Sequence, residues 1–123
     1  MSDERGGDPI FVLDELVLVP GALEPFLEAL EKDYRPGAEA RGQRLLHRWV
    51  TPPTTAGGVA HTVVLVWQLR GVEGFWKMRS QNSTPEIAAW WADAGRFFVS
   101  RTRRWAAEAD GLPALDALGR INA

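Results

Sequence analysis

The 123-residue sequence predicts an α+β domain of element order β-α-β-β-α-β, a four-stranded antiparallel sheet with its helices on one face. Three observations predict it. Short apolar runs of strand length alternate with segments whose apolar residues recur at helical spacing. The second and third strands follow each other across a turn-rich loop, which makes them an antiparallel hairpin. The first and third strands are apolar on both faces.

The elements follow in order. Ile10 to Val19 is rich in Val, Leu and Phe; Asp14 and Glu15 interrupt it, and Pro20-Gly21 ends it. From Ala22 the period changes. Leu23, Phe26, Leu27, Leu30 and Tyr34 share a helical face, and Glu24, Glu28, Glu31, Lys32 and Arg35 take the other. Pro36-Gly37 is expected to end or kink this helix, with Ala38 to Arg41 able to resume it. Gln43 to Thr51 reads as the second strand, closed by Pro52-Pro53. Thr54 to Ala60 is loop, and His61 to Arg70 is the third strand. Val72, Phe75, Trp76 and Arg79 mark a short helix. Ser83-Thr-Pro-Glu86 has the form of a helix start, with a hydroxyl cap, Pro in the first turn and Glu three residues after Ser. Ile87, Trp90, Trp91, Ala94, Phe97 and Phe98 then form one face. Residues from Arg96 to Ala107 fit either period. A fourth strand from about Val99 to Ala107 is preferred, because it completes the sheet. Residues 1–9 are expected to be a disordered lead, 10–107 the domain and 108–123 a loose tail.

This order is the ferredoxin-like split. Val63, Leu65, Trp67 and Leu69 point one way, and Val64 and Val66 the other. Phe11, Leu13, Val17 and Val19 likewise oppose Val12, Leu16 and Leu18. A sheet with one wet face alternates apolar and polar residues, and this one does not. Helices cover one face only, so a second copy of the sheet is the expected cover for the other.

Two segments carry a family resemblance. One is the strand end Val19-Pro20-Gly21 followed by Leu23 and Phe26. The other is the passage from strand three into the next helix, with Trp67 and Arg79. With these the chain resembles the dimeric α/β-barrel superfamily, and within it NIPSNAP-like proteins, over about residues 10 to 107. Leu69 stands where that family tends to have an aromatic, and Phe75 where it has a first Arg. The first strand lacks the family's usual Arg and Tyr. The resemblance implies a homodimer with a pocket between sheet and helices. It also implies cyclase, isomerase or monooxygenase chemistry without a cofactor.

Composition narrows the alternatives. The formal charge is −2, which disfavours nucleic acid and anionic membrane as partners. There is no cysteine, which excludes disulfides and thiol nucleophiles and fits a cytoplasmic setting. No apolar run approaches the ~20 residues of a membrane helix. The two histidines have no metal-ligand spacing with Asp or Glu, so neither a metal site nor a cofactor is expected. No serine sits in a nucleophile elbow, and no glycine-rich loop follows a strand.

His47, in Leu45-Leu-His-Arg-Trp49, is the candidate general base; the competing reading is a structural histidine. Tyr34, Gln68 and Arg79 are the candidate polar orienters. His61 is expected to be exposed. Asp14 and Glu15, being adjacent, face opposite sides of strand one and cannot act as a pair; the expected partner of the inward one is Arg44, Arg48 or Arg101. Six tryptophans in one small domain are unusual. Trp49, Trp67, Phe75, Trp76, Trp90 and Trp91 are the candidate lining of a pocket for a small apolar molecule, aromatic or polyketide-like. The competing reading makes the same rings core and interface in a non-catalytic dimer.

Overall fold

The computed structural model describes residues 8–81 and 84–112. Its four strands are β1 (Ile10–Leu18), β2 (Arg44–Thr51), β3 (Thr62–Leu69) and β4 (Phe98–Ala106). They form one antiparallel sheet in the order β2-β3-β1-β4, the ferredoxin-like arrangement. The ambiguous segment near Arg101 is therefore strand, beginning one residue before its expected start.

The first helical segment is continuous but not uniform. α1 (Leu23–Ala29) passes through a π-helical turn (Leu30–Tyr34) into α2 (Arg35–Ala40). Pro36 does not stop it: it falls directly after the wider π-helical turn, at the opening of α2. α3 (Gly71–Gln81) and α4 (Pro85–Ala94) follow β3. Ser83, the expected cap of α4, lies outside the described residues. Thr84 holds the cap position in extended conformation, without a side-chain cap bond, and Pro85 opens the helix. Of the expected lead and tail, residues 1–7 and 113–123 also lie outside the described part.

The helices pack on one sheet face. Ile10, Val12, Leu16 and Leu18 of β1 and Val63, Leu65, Trp67 and Leu69 of β3 join Phe26, Leu30, Tyr34, Ala38, Val72, Phe75 and Met78 in a single buried core. The opposite face carries Phe11, Leu13 and Val17 of β1 beside Val64 and Val66 of β3, as the alternation requires. No helix among the described residues is long and apolar enough to cross a membrane.

Strand two departs from its expected pattern. Leu45 sits opposite Trp67 and His47 opposite Val66, so one strand carries an extra residue between these pairs. This bulge reverses which side each later residue faces. Leu45 is buried among the helices, whereas His47 and Trp49 stand on the helix-free face. His47 therefore does not share a face with Leu45. His61 is also corrected. It is 4% exposed, not open to solvent, and its Nε2 donates to the Thr54 carbonyl at 2.6 Å, tying down the loop between β2 and β3.

Candidate functional site

β1 carries a charge into the core. Asp14 sits in register with apolar neighbours on the helix-covered face and is fully buried. It is opposite Arg103 of β4, which meets it with two parallel bonds, Nε to Oδ1 at 2.7 Å and a terminal nitrogen to Oδ2 at 2.9 Å. Trp67 Nε1 on the other flanking strand donates to the same Oδ2 at 3.1 Å. The bidentate fork explains how a carboxylate survives there. Its partner is Arg103 and not Arg44, Arg48 or Arg101; Arg48 instead pairs with Glu31 at 2.9 Å. The bulge explains the Arg48 pairing, since it turns Arg48 toward the helices.

Above this pair stands an aromatic cage. The Tyr34 ring lies 5.8 Å from Trp67, 4.7 Å from Trp90 and 5.2 Å from Trp91. Both tryptophans of the Trp90-Trp91 pair thus reach Tyr34. Tyr34 is 4% exposed, and its hydroxyl lies near the Arg103 guanidinium without closing a well-formed hydrogen bond. Burial works against the Arg103 cation, but the Asp14 bonds, with the nearby Tyr34 oxygen, outweigh it and hold the guanidinium more firmly charged than in water. Arg101, two residues away on the same face, stacks over Trp91 with Cζ 3.5 Å from the ring centroid. Ile87, Ala88, Trp91, Arg101 and Arg103 line a cleft of about 350 Å³ between α4 and β4.

The remaining predicted residues lie elsewhere. Phe75 and Trp76 belong to a second ring group with Trp105, and Arg79 lies over Phe75 at 5.9 Å and over Trp105 at 5.5 Å. His47 and Trp49 stack on each other at 4.8 Å on the helix-free face, where Gln68 also lies. The structure thus brings Tyr34, Trp67, Trp90 and Trp91 together, and separates them from His47, Trp49 and Gln68 by the thickness of the sheet. Sequence reasoning missed Asp14–Arg103 as a pair and Arg101 as a member of the cage. The signal was the alternation of Arg101, Arg103 and Trp105 on β4, which places all three on the helix side. Among the described residues, no group of three or more His, Asp or Glu could hold a metal ion.

No family model and no curated protein matches the chain. Solved structures do. A NIPSNAP domain protein from Burkholderia xenovorans aligns over 81% of this chain and 94% of its own, with a TM-score of 0.61 and 14% identity. A NIPSNAP family protein of unknown function from Agrobacterium tumefaciens aligns over 84% and 90%, with a TM-score of 0.62 and 10% identity. A candidate antibiotic biosynthesis monooxygenase from Caulobacter crescentus aligns over 85% and 92%, with a TM-score of 0.59 and 14% identity. The chain has the ferredoxin-like α+β fold that these NIPSNAP and monooxygenase-like proteins share.

Proposed function

We propose that the protein is a homodimer that binds a small aromatic or polyketide-like molecule beside the Tyr34 cage and acts on it without a cofactor. One observation supports this reading: a buried tyrosine hydroxyl that lies near the Arg103 guanidinium without closing a well-formed hydrogen bond, enclosed by three tryptophans beside a cleft. A buried unpaired hydroxyl costs about 1–3 kcal/mol, so a ligand oxygen that completes it is favoured. The rings supply flat apolar surface for an aromatic molecule. Tyr34 Oη is the proton donor or acceptor, and the Arg101 guanidinium supports negative charge on the substrate while Arg103 is held by Asp14. That set serves proton transfer in an isomerisation or cyclisation. A monooxygenation at the same place would take dioxygen as oxidant and draw all four electrons from the substrate itself, one oxygen atom entering the product and the other leaving as water. His47, on the other face, then belongs to the dimer contact. The dimer follows from the apolar helix-free face, which a second copy covers.

The competing reading is a non-catalytic module, favoured by Trp67 being fully buried as core. A panel of polycyclic aromatics separates the two. Saturable quenching of tryptophan fluorescence, weakened by Trp91→Ala more than folding is weakened, is the expected result. No saturable quenching by any compound, with the protein folded and dimeric, would leave the structural module.

A further inference from the structure

We propose that the cleft between α4 and β4 takes a planar monoanion of the carboxylate type on Arg101, so that the ligand of this site is an aryl or enolic anion and not a neutral molecule. This deepens the reading of the cleft as the ligand site and rests on it.

The charge inventory leads there. Arg101 and Arg103 lie on one strand face, and both approach the Trp91 ring, at 3.5 and 5.9 Å. One carboxylate, Asp14, stands with them, and Arg103 engages both its oxygens. Among the described residues no carboxylate comes within salt-bridge range of Arg101. Within the described residues the cluster therefore holds one uncompensated positive charge. Burial, and after it the repulsion of Arg103, pull Arg101 below its ordinary value against the attraction of Asp14. An arginine stays charged through such a shift, so the cost is met by a counter-ion or not at all.

Geometry specifies the counter-ion. Stacking on Trp91 occupies the flat face of the guanidinium and leaves its in-plane N–H groups free. Arg101 Nε is buried and has no hydrogen-bond partner. An in-plane fork matches two oxygens in a plane, as in a carboxylate or an enolised dicarbonyl. Ile87, Ala88 and the Trp91 edge complete the cleft with apolar surface, so the anion carries a flat apolar arm.

The probes are 2-naphthoate and its neutral isostere 2-naphthamide, titrated against the full chain at neutral pH with tryptophan fluorescence and calorimetry. The expected result is naphthoate binding about ten-fold or more tighter than naphthamide. Arg101→Met should erase that preference and raise the thermal midpoint, since a half-buried cation with no carboxylate partner among the described residues is removed. Ala88→Glu, at an exposed position on the cleft wall, should supply an internal carboxylate and abolish naphthoate binding in a chain that keeps its fold. Naphthamide binding as tightly as naphthoate would overturn the charge assignment and leave the aromatic site standing. Unchanged naphthoate affinity in both variants would also overturn it. Binding of neither probe would overturn it together with the reading on which it rests.

Discussion

Removing the Asp14 carboxylate tests the polar heart of the core. In Asp14→Ala, Arg103 loses both bonds, at 2.7 and 2.9 Å, and Trp67 Nε1 loses its acceptor. The Arg103 side chain is only 13% exposed, so water does not replace what is lost. Breaking a buried pair from one side costs about 3–5 kcal/mol. A chain of this length has roughly 6–18 kcal/mol of stability in total, so the variant loses between about a sixth and most of it. With a urea slope of about 1.5 kcal/mol per molar, a 4 kcal/mol loss moves the midpoint down by roughly 2–3 M. The assay is equilibrium urea unfolding followed by circular dichroism at fixed protomer concentration, so that the proposed association is held constant across variants. Asp14→Leu with Arg103→Met should recover most of the loss, since a well-packed apolar pair replaces a buried ion pair at little cost. A loss below about 1 kcal/mol in Asp14→Ala, the range of an exposed pair, would refute the assignment of a buried structural ion pair.

The helix-free face should be tested by Val66→Lys; light scattering at micromolar concentration is expected to give twice the chain mass for the parent and the single-chain mass for the variant. A parent that runs as a stable monomer sinks the dimer. His47→Ala should loosen the same contact, seen as a shift of dissociation to higher protein concentration, with no change in aromatic quenching. If His47→Ala instead abolished ligand response in a folded dimer, the placement of the site on the helix side would fail. His61→Ala should cost about 1–3 kcal/mol and speed proteolysis between Pro52 and Ala60, because the Thr54 carbonyl loses its donor; an unchanged cleavage rate would show that the histidine does not hold the loop.

Much of the fold was legible because period and parity are written in side chains. Phe11, Leu13 and Val17 against Val12, Leu16 and Leu18 already give β1 two apolar faces, and the structure keeps that alternation. The site was less legible, for two physical reasons. The extra residue between Leu45 and His47 leaves no trace in composition, yet it moves His47 and Trp49 through the sheet. Pairing across strands also depends on register, so Asp14 could not be assigned to Arg103 over its arginine neighbours before β1 and β4 were aligned. Trp67, Trp90 and Trp91 were readable as inward rings because each lies on an apolar face; that Tyr34 meets them was not, because it depends on the π-helical turn between Leu30 and Tyr34.

The π-helical turn sets the phase of the first helix. Ala22, Phe26, Leu30, Tyr34 and Ala38 are all buried, a strict spacing of four residues. On a straight α-helix that spacing drifts by about 40° per step, or about 160° from first to last, which would swing Ala38 to the solvent side. Hydrogen bonds that span five residues widen the turn between Leu30 and Tyr34 and take back part of that drift. Deleting one residue there would restore an ordinary turn and rotate the distal half by about 100°. Tyr34 would then leave the tryptophans and Ala38 the core, while every residue upstream of Leu30 kept its place. The length of one helical turn thus acts as a clock for the whole cage, and a single insertion or deletion resets it.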